Sequence, residues 1–122
     1  MRRPPPPTDL LPLTPAVFHI LVALSDGERH GYAIMRQVAA DTGGGLQLGP
    51  GTLYGCLKRM LAAQLIEESD ERPDPQLDDE RRRYYRITDC GARTVRAEAQ
   101  RLATALSAAR ARRLLVRPAG ER

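Results

Sequence analysis

Two prolines cut the first half of this chain into short helices. Pro15 follows Thr14, a good N-cap, and Pro50 follows Gly49; each takes a first helical position, where a missing N–H costs nothing. Behind Thr14-Pro15, the residues Val17, Ile20, Leu21 and Leu24 recur at i, i+3, i+4 and i+7, an apolar stripe that faces a core. Ser25-Asp26-Gly27 stops that helix. A second is expected from about Gly31 to Asp41, with Ile34, Met35 and Val38 inward and Gly43-Gly44-Gly45 at its end. Leu46–Leu48 is short and apolar enough for a strand.

The third helix, from Pro50 to about Gln64, carries the most information. At 100° per residue, Leu53, Leu57, Met60 and Leu61 cluster in one sector, and Gly51, Thr52, Gly55, Lys58, Arg59 and Ala62 occupy the opposite arc. That arc holds small residues and two cations and no acid. Cys56 falls near its edge, as a small neutral residue, and Tyr54 stands between the two sectors, fit either to pack or to contact a ligand. Leu65–Ser69 and Arg82–Ile87 read as strands around a polar, proline-bearing loop, a hairpin with a long tip. On the second strand Tyr84 and Tyr85 alternate, so one of them faces inward.

A long helix is expected last, from about Asp89 to Val116. Its seam runs Val95, Ala99, Leu102, Leu106, Ala109, with Arg113 breaking the second row. Such a helix overhangs a small domain, and its stripe needs a partner surface; a homodimer supplies one.

Charge narrows the choice of partner. The sequence holds 19 Lys+Arg against 15 Asp+Glu, yet eight of the acids lie between Glu67 and Arg83. The rest is strongly basic and fits a polyanion. Eighteen of the 19 cations are Arg, which reflects composition bias as well as phosphate affinity. The acidic hairpin tip itself, Asp70 to Glu80, does not fit such a partner. No apolar run approaches the ~20 residues of a membrane span. Arg2 and Arg3 lack the apolar stretch of a secretory signal, so a cytoplasmic protein is expected. Two cysteines, Cys56 and Cys90, make neither a disulfide framework nor a four-ligand zinc site. His19 and His30 have no carboxylate or cysteine at i+3 or i+4; His19 reads as packed and His30 as a cap of the second helix. No catalytic constellation, metal site or cofactor is expected.

Three short helices, a two-stranded hairpin and one long terminal helix make a mainly α (α+β) chain: a winged helix-turn-helix with a two-stranded wing and a long C-terminal dimerisation helix. The expected division is a disordered proline-rich arm over 1–12, the winged helix-turn-helix over 13–88, the dimerisation helix over 89–117 and a tail over 118–122. The function that follows is sequence-specific binding of double-stranded DNA. The rival is a winged helix that contacts only protein.

Four stretches carry a family resemblance: His30-Gly31-Tyr32-Ala33-Ile34, then Pro50-Gly51-Thr52-Leu53-Tyr54 through Leu57-Lys58-Arg59-Met60, then Leu65-Ile66, then Arg83-Tyr84-Tyr85-Arg86-Ile87-Thr88-Asp89-Cys90-Gly91. Over residues 13–95 the chain resembles the PadR family of bacterial transcriptional regulators, in its smaller subgroup with a single C-terminal helix. The resemblance implies a homodimeric repressor that leaves its operator when a small molecule or another signal arrives. It implies DNA contacts by Pro50, Gly51, Thr52, Tyr54, Lys58 and Arg59, by Tyr32 on phosphate, and by Arg81, Arg82 and Arg83 at the wing base. It also implies a dimer interface in which the terminal helix meets the partner's first helix, near Phe18. With no Trp and a single Phe, an aromatic sandwich around the effector is not supported. Two departures stand out: Gln64 replaces the glycine common before the Leu-Ile pair, so a turn differing by one residue is expected there, and the wing loop, Glu71 to Glu80, is longer and more acidic than the family pattern.

Overall fold

A computed structural model of the chain describes residues 10–69, 72–73 and 81–115. Helix α1 (Pro15–Leu24) opens under Thr14, whose hydroxyl oxygen accepts the Val17 N–H at 3.3 Å. After a turn come the short strand β1 (Arg29–His30) and helix α2 (Gly31–Asp41). His30 caps α2: its Nδ1 accepts the Ala33 N–H at 3.2 Å. Helix α3 (Pro50–Ala62) follows, then β2 (Ile66–Glu68), β3 (Arg72–Pro73), β4 (Arg81–Arg82), β5 (Tyr84–Ile87) and helix α4 (Asp89–Ala111).

The wing hairpin forms where it was expected, but the sheet gains a strand. β5 lies between β1 and β2, antiparallel to both, in the register Arg29↔Tyr85 and Glu67↔Arg86. Beyond it, β3 and β4 pair as a second, two-stranded ladder. A two-residue strand such as β1 carries no alternation to read; it exists because β5 offers it an edge. Leu46–Leu48, by contrast, is not a strand. Thr42 Oγ1 accepts the Leu46 N–H at 3.0 Å, and Leu48 drops into the core from an irregular loop. The acidic wing tip, other than Arg72 and Pro73, lies outside the described residues.

The core lies between the three short helices, with Ile20, Leu21, Leu24, Ile34, Val38, Leu53, Leu57 and Met60 buried. β5 closes it with Tyr85, the inward member of its tyrosine pair, and burial pushes that phenol's pKa up. Tyr84 meets the edge of the His30 ring instead, centroids 5.4 Å apart.

Helix ends account for the remaining departures. α3 stops at Ala62, ahead of Gln64, which adopts φ +62°. The Leu65 N–H reaches the Met60 carbonyl at 3.0 Å and the Gln64 N–H that of Leu61 at 3.1 Å, a Schellman ending. The turn therefore keeps the geometry a glycine would give it, with a glutamine held in the left-handed region at a cost of ~1 kcal/mol. α4 stops at Ala111 instead of Val116, because Arg113 turns the chain with φ +57°.

The junction of α3, β2 and α4 is tight. Thr88 caps α4 by accepting the Gly91 N–H at 3.0 Å and donates its own hydroxyl to the Gln64 carbonyl at 2.6 Å. A Cβ on Gly91 would collide with the Leu65 carbonyl oxygen, so only glycine lets α4 sit this close.

Farther along α4, Glu98 is only 1% exposed. Its carboxylate accepts the Leu13 N–H at 2.9 Å and both Nε and Nη2 of Arg101. The described end of the proline-rich arm, residues 10–12, is thereby held on the domain, where Leu10 packs against the edge of the core. Arg101 and the Leu13 amide hold the Glu98 carboxyl below its ordinary value of 4.5, against burial that pushes it up. A depressed folded pKa stabilises above the unfolded value and is lost as pH falls through the folded one. Glu98→Gln is expected to be less stable than the parent at neutral pH, with the gap closing in acid below pH 4.5. Urea melts across that range check it; a gap independent of pH would mean that the charge contributes nothing.

Candidate nucleic-acid interface

Helix α3 presents two unlike faces. Leu53, Leu57 and Met60 are in the core, whereas Gly51, Thr52, Lys58, Arg59 and Ala62 are exposed and Gly55 is half-buried. Pro50 starts the helix, and no acid lies in its first turn. Cys56 departs from the edge-of-face expectation: it is 3% exposed, turned into the core. Above it, Arg59 folds back along the helix, and its Nη2 donates to the Cys56 Sγ at 3.4 Å. Arg59 also lines a small apolar cleft beside Leu13, Val17 and Met60, so Lys58 is the more outward of the two cations.

The glycines of this region separate into two kinds. A Cβ at Gly51 would meet nothing within 4 Å, and one at Gly55 only the far end of Arg59 at 3.6 Å. The fold does not require either to be small. Gly31 is different. A Cβ there would stand 2.5 Å from the Tyr54 hydroxyl and 3.3 Å from Leu53 Cδ2, so Tyr54 lies directly across the start of α2. Tyr54 is nonetheless 48% exposed; it packs on Gly31 and faces solvent at once.

Tyr32, the next residue, is 45% exposed and carries the Arg36 guanidinium on its ring face, 5.1 Å from the centroid. Arg36 was not singled out in the sequence. Its signal was there, a cation four residues after a tyrosine on α2, but nothing in the pattern showed the pair to be stacked.

At the wing base, Arg81 and Arg82 make up β4. Arg83 is exposed but pairs with Glu68 at 3.5 Å, and Arg86 pairs with Glu67 at 2.7 Å. These cross-strand pairs lie on the solvent face and contribute little to stability. They do hold Arg83 and Arg86 close to acids, whereas among the described residues no acid pairs with Arg36, Lys58 or Arg59.

The seam of α4 is partly used within the chain. Val95, 8% exposed, belongs to the core and is therefore not on the free stripe. Ala99 is exposed, Leu102 and Leu106 are each 39% exposed and Ala109 is half-buried. Phe18 is half-buried on α1, edge-on to His19. Among the described residues there is no group of three metal-ligating side chains, and no helix is long and apolar enough to cross a membrane.

The sequence model of the transcriptional regulator PadR-like family matches residues 20–97. A protein of Streptomyces fradiae, described as an uncharacterized 37.1 kDa protein in transposon TN4556, is 38% identical over 84 residues. That alignment covers 69% of this chain, which spans only 22% of the relative. The fold is similar to the crystal structure of a PadR family transcription regulator from Clostridium difficile, with a TM-score of 0.67 and 26% identity over 80% of this chain and 96% of that one. It is also similar to Bacillus subtilis PadR in complex with operator DNA, with a TM-score of 0.58 and 21% identity over 66% of this chain and 44% of that one. At that identity the second likeness shows the fold alone.

The Gly31–Tyr54 contact is open to a direct check. Gly31→Ala is expected to destabilise by about 1–3 kcal/mol, the usual cost of overpacking. Most of that cost should vanish in a Tyr54→Ala background, because the colliding hydroxyl is gone. A double-mutant cycle by thermal melting measures it; additive costs would show that Tyr54 does not hold this place.

Proposed function

The chain belongs to the PadR-like family of transcriptional regulators, and from that membership we propose that it is a homodimeric, DNA-binding repressor released from its operator by a small molecule or another signal. The family is one of regulators and not of enzymes, so the chain is a regulator. The observation that carries the reading is the outward face of α3, which exposes Lys58 and Thr52 and keeps Gly51 small where the fold leaves room for a side chain. A helix with such a face can approach base edges closely in the major groove, while Lys58 and Arg59 bring positive charge to the phosphates. The solved complex of Bacillus subtilis PadR with operator DNA supports the same partner for this chain.

The domain division follows: residues 13–88 bind DNA, 89–117 join the two copies, and the ends beyond them serve neither role. Dimerisation is supported by the stripe of Ala99, Leu102 and Leu106, exposed on a helix that has left the domain. An isolated helix of this length is marginal in water, and a second copy would cover it. Pro50, Gly51, Thr52, Tyr54, Lys58 and Arg59 form the reading set, with Tyr32 and Arg81 to Arg83 on the flanking backbone. A cytoplasmic location goes with that role.

Lys58 is the only lysine of the sequence, which makes it easy to address. Binding to a labelled duplex should weaken steeply with salt, and Lys58→Ala should flatten the slope of log K against log salt by ~0.9. Duplex DNA should also protect Lys58 from acetylation. Salt-independent binding, or none, would favour the protein-contact reading instead. Leu102→Glu with Leu106→Glu is expected to give a monomer by light scattering and, with avidity lost, a duplex affinity lower by ~100-fold. A dimer that survives both substitutions would move the interface elsewhere.

A further inference from the structure

Several cations of the chain have a polar partner of their own. Arg29 meets Asp26, Arg59 the Cys56 sulfur, Arg83 Glu68, Arg86 Glu67 and Arg101 Glu98. Arg36 on α2 and Lys58 on α3 are different: among the described residues no carboxylate pairs with either, and the contact of Arg36 is the face of Tyr32. Asp41, the acid on the same helix, accepts from Gln37 at 2.8 Å instead. The charge of Arg36 is therefore uncompensated, and its side chain is held by a ring.

Placement adds a second argument. Tyr32 and Arg36 stand four residues apart on α2, and Tyr54 and Lys58 stand four apart on α3, so each pair shares one face of its helix. The Tyr54 hydroxyl lies over Gly31, the residue next to Tyr32, so the two pairs are neighbours across the α2–α3 junction. All four side chains are exposed. The guanidinium over the Tyr32 ring keeps its five N–H donors, and that planar fork matches two phosphate oxygens.

We propose that Arg36 is a phosphate clamp on α2, gripping the DNA backbone beside the groove that α3 enters, and that Tyr32 is the residue that positions it. The proposal rests on the DNA-binding reading above. It transfers to Arg36 the backbone contact assigned above to Tyr32, so that Tyr32 acts through its ring face and not through its hydroxyl.

The test uses the full chain and a labelled random-sequence duplex, because a phosphate contact is indifferent to sequence. Affinity is measured from about 50 to 200 mM salt for the parent, Lys58→Ala, Arg36→Gln, Tyr32→Phe, Tyr32→Ala and the Arg36→Gln/Tyr32→Ala double variant. Arg36→Gln is expected to bind about tenfold more weakly and to flatten the salt slope by ~0.9. Tyr32→Phe should stay within about twofold of the parent, because the ring face is retained. Tyr32→Ala should lose much of what Arg36→Gln loses, and the double variant little beyond Arg36→Gln alone. Thermal melts of every variant should stay near the parent's, since both side chains are exposed. An unchanged slope for Arg36→Gln beside a flattened one for Lys58→Ala would overturn the clamp and leave the DNA-binding reading standing. Equal losses for Tyr32→Phe and Tyr32→Ala would overturn the positioning role, making the hydroxyl the contact. A parent with no salt-dependent binding would overturn the clamp together with the reading beneath it.

Discussion

Everything in this molecule depends on how closely the first turn of α4 approaches the turn between α3 and β2. Thr88 joins the two by accepting the Gly91 N–H and donating to the Gln64 carbonyl, while the bare Cα of Gly91 lies against the Leu65 carbonyl. The Thr88 N–H adds a bond to that same carbonyl at 3.1 Å. A backbone carbonyl cannot move aside as a side-chain tip can. The helix with the exposed stripe is thus fixed to the C-terminal end of the helix with the basic face, and strand β5 is fixed with them.

Glycine has two meanings here, and the distinction separates fold from function. Gly31 and Gly91 are required by their neighbours, one by Tyr54 and the other by Leu65. Gly51 is not required by anything in the chain, and it lies on the face without acids. Where packing leaves a residue free to be larger, a small residue in that place needs an explanation outside the chain. On the DNA-binding reading proposed above, that explanation is close approach of the duplex to the α3 backbone, which agrees with family membership.

The sequence was legible wherever a signal was local. Thr14-Pro15 and Gly49-Pro50 start their helices as the capping rules require, and the stripes of α1, α2 and α3 are the core. What escaped was long-range. Strand β1 is two residues long and exists only through β5. Glu98 reads as a surface acid on a helix, yet it is buried because an amide 85 residues away and a neighbouring arginine meet it. Cys56 lies at a boundary angle where periodicity cannot decide, and packing turned it inward. Gln64 showed that a residue departure need not be a backbone departure, since the Schellman bonds impose the left-handed conformation on either residue. On the site, the wheel placed Lys58 and Thr52 outward, but i, i+4 spacing alone does not tell whether Arg36 turns onto the Tyr32 ring or into solvent.

The burial pattern of α4 divides it at one residue. Cys90, Gly91, Thr94, Val95 and Glu98 are buried, and all lie in its first ten residues; between Ala99 and Ala111 every residue but the half-buried Ala109 is exposed. The first half packs into the helical core, and the second half extends beyond it. Glu98 stands at the boundary, holding the chain's entry into α1 by the Leu13 amide. In the proposed dimer the distal halves set the spacing of the two α3 helices, while each α3 stays fixed to its own α4 at Gly91. Helix-turn-helix dimers address half-sites about 34 Å apart, so a change of angle between the distal halves moves both α3 helices out of register without altering either unit. The release proposed above would then need no rearrangement inside the core, because the tight packing around Gly91 holds α3 and α4 together as one body.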